Sequence, residues 1–312
     1  MARKPRLWTT GLCYELTLRT EHQMFLLKPD PDTNNILGSC LGRAQKKHPI
    51  RIHAFFSNIN HFHCIFSLAP DQVPNASLFL RHLHGLAARQ LNIHYKRTGH
   101  VWSSRGRIVP IVDQDALISK LLYAATNVVK DGLVAKVSHW PGFSTLDQLA
   151  SGARQTFTYL DRTAWWQAGG WWRRIPKEKF IRTVDVVTSP LPGWEHLAPH
   201  ERQSRFRRMV KDKEQELAEI REREGRPVLG KAGLMQVEHL ATPQSPKKPT
   251  PMPKCHASSK EIRDAFIKDV LKPFWDRYRE ASGRFRSGDY GVEFPQGSIP
   301  PPIPTVRAVQ RL

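Results

Sequence analysis

Cysteine is scarce, and the four that are present, Cys13, Cys40, Cys64 and Cys255, lie far apart with no paired spacing. That excludes a disulfide framework and a zinc knuckle, and it fits a reducing compartment. Long apolar runs are also missing. No stretch is long enough to span a bilayer, and the basic start, Met1 to Arg6, is not followed by the apolar segment of a signal peptide. The expectation is a cytoplasmic protein with no membrane partner. Acidic residues are the third shortage: 28 Asp and Glu stand against 48 Lys and Arg, a formal charge of +20. An excess of that size marks a polyanionic partner, with nucleic acid the first candidate. What the chain does have is 40% hydrophobic residues over 312 positions, enough for a real core in one large or two modest domains.

The first half reads as alternating strands and helices. Residues 14–19 alternate with period two, as a strand does. A helix follows, with Asp32 as its cap, an apolar stripe of Ile36, Leu37, Cys40, Leu41 and Ala44, and Lys46, Lys47 and His48 at the dipole-negative end. Residues 50–56 and 61–68 are strand-like and close enough to form a hairpin around Ser57-Asn58-Ile59-Asn60. Asn75 or Ser77 opens a longer helix to about Lys96, residues 107–112 make a fourth strand, and Asp113 or Asp115 caps a helix from 116 to 130 closed by Gly132. This order suits an α+β fold, a four-stranded antiparallel sheet with helices packed against it.

Two stretches carry chemistry. In the second hairpin strand Phe62, Cys64, Phe66 and Leu68 alternate with His61, His63, Ile65 and Ser67, so one face can enter a core while the other presents two imidazoles. Such a pair can clamp a divalent ion; two half-exposed strand histidines are the plainer alternative. His82 and His84 have the same spacing, but in a helix i and i+2 share no face. On the 116–130 helix Leu117, Leu121, Ala124 and Val128 form an apolar stripe, and Lys120, Tyr123, Asn127 and Lys130 a polar one. A phenol one turn from a carboxamide and flanked by lysines is unusual on a solvated face, although a tyrosine can simply cover the edge of a core.

Asn60-His61-Phe62-His63, then Gly99-His100-Val101-Trp102 with Arg105, then Tyr123 followed by Asn127, Gly132 and Leu133, and finally Trp140-Pro141 with Phe143-Ser144 occur in a telling order and spacing. Over residues 12–145 the chain resembles the HUH single-tyrosine transposases, in particular the REP-associated branch. It departs from their pattern at Val128, where proline is usual, and at Asn58-Ile59, where Met-Pro is common; neither change removes a chemical group. The resemblance implies the HUH endonuclease fold, a ferredoxin-like sheet with packed helices. It also implies a site in which His61, His63 and Asn127 hold Mg²⁺ or Mn²⁺ and Tyr123 attacks a phosphate to give a 5′-phosphotyrosine. The implied substrate is single-stranded DNA with hairpin, REP-like ends, the implied location is the nucleoid, and a homodimer with the tyrosine acting in trans is left open. A phenol with a pKa of about 10 is a poor nucleophile at neutral pH, so the metal with Lys120 and Lys130 is expected to favour the phenolate. Two other readings compete: an HUH replication initiator or relaxase that nicks a fixed origin, and a non-catalytic DNA-binding regulator of the same fold.

By this reading residues 1–150 form the catalytic domain and 151–240 a basic, Trp-rich, mostly helical extension. Residues 241–257 form a Pro/Lys-rich linker, and 258–312 a helix with a proline-rich tail. Trp165-Trp166 and Trp171-Trp172-Arg173-Arg174 could stack unpaired bases and hold phosphates, or could pack the extension onto the first domain. Arg202, Arg205, Arg207, Arg208, Lys211 and Lys213 make the basic half of a helix suited to a DNA backbone. Ile262, Phe266, Val270 and Phe274 form the stripe of a further helix, and residues 299–304 an extended proline-rich end.

Overall fold

The computed structural model of the chain describes residues 5–151, 154–244 and 251–304. The middle of the proline-rich linker and the last eight residues of the tail lie outside them. The central sheet is built from β1 (Cys13–Arg19), β2 (Arg51–Ser57), β3 (His61–Ser67) and β4 (Arg107–Ile111). They are antiparallel in the order β2-β3-β1-β4. Helix α1 (Pro31–Lys47) joins β1 to β2, and α2 (Asn75–His94) joins β3 to β4. This is the ferredoxin-like arrangement expected from the sequence. Helix α3 (Gln114–Lys130) follows β4.

Strand alternation divides the core in two. Tyr14, Leu16, Leu18, Phe62, Cys64 and Phe66 face α1 and α2, where they meet Leu37, Leu41, Phe79 and Leu83. The other face carries Ala54, Phe56 and Ile65 against Leu117, Leu121, Ala124 and Val128 of α3. The Asp32 cap needs correcting, because the helix is capped two residues earlier: Asp30 Oδ1 accepts from the Thr33 N–H at 2.7 Å. Pro31 explains the shift, since a ring with fixed φ and no N–H suits the first helical position and leaves the preceding residue as cap. All four cysteines are free and buried.

The extension combines helices with a pair of strands and is built into both cores. Helix α4 (Leu146–Ser151) precedes β5 (Gln155–Leu160). After α5 (Arg162–Gln167), β6 (Ile181–Val186) pairs with β5 to form a two-stranded antiparallel ribbon that the sequence reading missed. The ribbon lies on α1 where two glycines leave room. A Cβ on Gly38 would stand 2.3 Å from the Phe157 ring, and one on Gly42 2.7 Å from the Asp185 carbonyl. Each helical glycine costs about 1 kcal/mol relative to alanine, which this close approach offsets. Helix α6 (Pro199–Arg223) buries Phe206, Val210 and Leu217 in the α3-side core, leaving Arg205, Arg207, Arg208 and Lys211 exposed and Arg202 half-buried.

After the short α7 (Gly230–Gln236), α8 (Lys260–Phe266) is capped by Ser259 and runs through a wide π turn at Ile267–Leu271 into α9 (Lys272–Arg286). The wide turn breaks the expected stripe. Ile262 and Val270 are exposed, while Leu271 and Phe274 are buried, because a π turn shifts the phase of everything after it. The chain then runs without helix to residue 304 and docks on the start of the molecule, with Trp8 N–H donating to the Gly297 carbonyl at 2.8 Å. Among the described residues no helix is long and apolar enough to cross a membrane.

Candidate active site

His61 and His63 lie on the α3 side of β3 because their alternates, Phe62 and Cys64, are taken by the other core. Across the sheet Thr17 pairs with His63 and Arg19 with His61, so the outward positions of β1 line the same floor. Asn127 reaches down from the last turns of α3. The sequence reading put it on a polar stripe, yet it is 2% exposed, against 3% and 4% for the two histidines. Its Nδ2 stands 2.8 Å from His61 Nε2 and 3.3 Å from His63 Nε2.

The ring tautomers follow from the partners. His61 Nδ1 is 2.7 Å from Asn60 Oδ1, and the Asn60 amide is oriented by its own Nδ2, which donates to the Gln23 carbonyl at 3.2 Å. His63 Nδ1 is 2.9 Å from Glu15 Oε1. Both partners are acceptors, so both histidines carry their proton on Nδ1 and turn the Nε2 lone pair toward Asn127. Glu15 stays ionised although burial alone would raise its pKa. Contacts with His256 and His63 outweigh the burial and hold it far below the usual carboxylate range.

These residues fit a cation. Two ligands at right angles and about 2.1 Å from one ion stand about 3 Å apart, the spacing seen between the Asn127 amide and both Nε2 atoms. Asn127 Oδ1 is buried with no hydrogen-bond partner. Turning the carboxamide over would bring that oxygen to where Nδ2 now stands, about 3 Å from both Nε2 atoms. An orphaned buried carbonyl costs about 1–3 kcal/mol, so a ligand that uses it would be stabilised. A second grouping, Asp30, Asp32 and His94, also has ligand atoms within 4.8 Å of one another. Asp30 is there accounted for by capping α1 through both Thr33 N and Thr33 Oγ1.

Tyr123 sits one turn before Asn127, half-buried, with its ring edge-on to His63 at 5.7 Å. Lys120 and Lys130 place their ammonium groups 5.3 and 5.0 Å from the ring centroid, within cation–π range. They do not make the phenol acidic. Burial, then the charges of Asp131 and Glu15, raise its pKa above the ordinary value, against a smaller downward pull from Arg19. The sequence reading expected the lysines to act together with a metal ion, and the protein groups by themselves leave the phenol's pKa raised.

The remaining sequence candidates lie apart from this cluster. Arg105 is exposed and lines a cleft of about 530 Å³ with Pro5, Arg6, Trp8 and His84. Trp165 packs, its indole N–H donating to the Ile175 carbonyl at 2.9 Å. Trp171 and Trp172 are 55% and 72% exposed and stacked on each other at 3.9 Å, beside the exposed Arg173 and Arg174. The sequence reading missed Glu15, Arg19 and His256. Glu15 and Arg19 could have been found from the alternation of β1, which puts them with Thr17 opposite Tyr14, Leu16 and Leu18; nothing around His256 signals its place.

No protein-family profile matches the sequence, and no curated protein sequence matches it. Among solved structures, the chain is similar to a REP-associated tyrosine transposase bound to a REP hairpin, at 23% identity and TM-score 0.41 over 48% of this chain and 86% of that one. It is also similar to a candidate transposase from Deinococcus radiodurans R1, at 16% identity and TM-score 0.29 over 40% of this chain and 97% of the other.

Proposed function

We propose that the chain is a metal-dependent DNA strand transferase that cleaves and rejoins single-stranded, hairpin-flanked DNA through Tyr123. The observation that carries this reading is the buried convergence of two imidazole Nε2 atoms on the Asn127 carboxamide, whose Oδ1 has no hydrogen-bond partner, beside a tyrosine. His61, His63 and Asn127 would hold Mg²⁺ or Mn²⁺. Imidazole nitrogen with amide oxygen suits Mn²⁺ best of the two, since Mg²⁺ prefers an all-oxygen shell. Bound there, the ion would polarise a phosphate oxygen and neutralise charge developing in the transition state. Tyr123 Oη forms a bond to the scissile phosphorus, the P–O3′ bond breaks, and the 3′ oxygen leaves as a hydroxyl. The phosphotyrosine keeps the diester's energy, so the hydroxyl of a second strand can reverse the step.

Protein groups around the site have separable parts to play. Asn60 and Glu15 hold the histidine rings in the productive tautomer. Arg19, half-buried beside Tyr123, and Lys120 and Lys130 above it give the phosphate a cationic approach. The test is incubation of the protein with hairpin-bearing single strands taken from the flanks of its own gene, with Mn²⁺, read as a protein–DNA adduct on a denaturing gel. Tight binding without an adduct would favour a regulator that only binds.

The exposed indoles support a second contact with the same DNA. Between Asp161 and Arg182 there are six cations and two carboxylates, around Trp166, Trp171 and Trp172. Unpaired bases stack on such a platform while arginines hold the backbone. Trp172→Ala is expected to weaken single-strand binding about tenfold, from the 1–3 kcal/mol of one base–indole stack, without lowering the melting temperature. Fluorescence anisotropy checks it; unchanged affinity for Trp172→Ala and Trp171→Ala alike would remove this surface from the DNA path.

A further inference from the structure

Glu15 is held from two sides. Its Oε1 takes the His63 Nδ1 proton, and its Oε2 lies 2.7 Å from His256 Nε2. His256 comes from a distant part of the chain, the last residues of the proline-rich linker. Residues 256–258 are clipped to the sheet edge at three points. His256 N–H donates to the Pro110 carbonyl at 2.8 Å, Val112 N–H to the His256 carbonyl at 3.0 Å, and Ser258 N–H to Asp113 Oδ2, the N-cap of α3, at 2.8 Å. The neighbouring Cys255 is 4% exposed, so the clip is seated and not merely adjacent. The result is a relay from the C-terminal segment through a buried carboxylate to one of the two site imidazoles.

We propose that His256 is a positioning residue of the cation site: by fixing the Glu15 carboxylate it fixes the ring of His63, so the end of the linker is a working part of the site. The inference rests on the reading of His61, His63 and Asn127 as ligands. Its physical basis is that a ligand histidine needs its second nitrogen held, and that a carboxylate partner also makes the ring a better donor. A buried carboxylate with one oxygen unbonded would turn to find a partner. Glu15 is kept from turning because Oε2 lies in ion-pair contact with His256 Nε2, 2.7 Å away, although that nitrogen is not aligned as a hydrogen bond.

The test uses the full-length protein and Mn²⁺ affinity, followed by the loss of the free-ion paramagnetic resonance signal. Removing a residue that holds a ligand typically costs 10- to 100-fold in metal affinity, and His256, one step further out, should sit near the lower end at about tenfold for His256→Ala. His256→Gln, whose amide N–H reaches as far as Nε2, should recover most of the affinity, whereas the shorter His256→Asn should not. In a Glu15→Gln background His256→Ala should cost nothing further, because its effect passes through Glu15; a role in packing alone would add its own loss. Wild-type affinity in His256→Ala, equal affinities for the Gln and Asn variants, or an additive double mutant would overturn the proposal. The Gln and Asn pair decides the matter even if the alanine variant does not fold. A wild-type protein that fails to bind Mn²⁺, or binds it as well after His63→Ala, would defeat the ligand reading itself and this inference with it.

Discussion

Tyr123→Phe is expected to abolish the covalent adduct, lowering the cleavage rate by roughly four orders of magnitude or more, as loss of a nucleophile does. Binding of the hairpin strand should stay nearly unchanged. The change removes one oxygen from a half-buried ring whose edge contact to His63 and whose two lysine neighbours involve only the carbon framework. Helix α3 is anchored on its opposite side by Leu117, Leu121, Ala124 and Val128, so the backbone has no reason to move. A strand labelled at its 3′ end should become protein-linked with the wild type and not with the variant. The wild-type rate should also climb as pH rises through neutrality, because burial and the charges of Asp131 and Glu15 keep the phenol protonated. An adduct of normal yield from Tyr123→Phe would place the nucleophile on another residue.

The sheet was legible because its signals are local. Period-two alternation in β1 and β3, the Asn58-centred turn, and the capping aspartate and apolar stripe of α3 each lie within a few residues of what they specify. Tyr123 and Asn127 could be placed one turn apart for the same reason. What escaped depends on contacts distant in sequence. The β5 and β6 ribbon is split by residues 161–180, which contain a helix and the tryptophans, so no hairpin rule joins it. Asn127 could be placed on a polar stripe unusual for a solvated face, but its near-complete burial could not be read, because a helical wheel cannot show that the sheet opposite presents two imidazoles. The face that Glu15 occupies follows from the alternation of β1, but its contact with His63 needed the pairing register of two strands. His256 needed the fold of the whole chain, since its neighbours Lys254, Cys255 and Ala257 show no periodic pattern that would dock a segment. The relay from the C-terminal segment to His63 is thus a property of topology.

Replacing His61 or His63 with alanine is expected to stop cleavage and to remove most of the Mn²⁺ affinity, while Asn127→Ala is expected to do less. Each histidine offers a ring nitrogen already oriented by Asn60 or Glu15 and is only 3–4% exposed, so water has little access to take its place. Asn127 offers a carboxamide oxygen, the kind of ligand a water molecule replaces at small cost, and truncating it leaves space for that water. Losing one imidazole should cost about 100-fold or more in metal affinity, and losing the amide about tenfold. A chelator should stop the wild-type reaction, and added Mn²⁺ should restore it. Because Asn127 Nδ2 bonds both rings when no ion is bound, Asn127→Ala should also lower the melting temperature of the metal-free protein, and Mn²⁺ should recover part of that loss by binding the folded state. Calorimetric metal titration and thermal melting with and without Mn²⁺ measure both effects. Cleavage that persists in chelator, or an Asn127→Ala variant more impaired than either histidine variant, would show that these three residues do not share one ion.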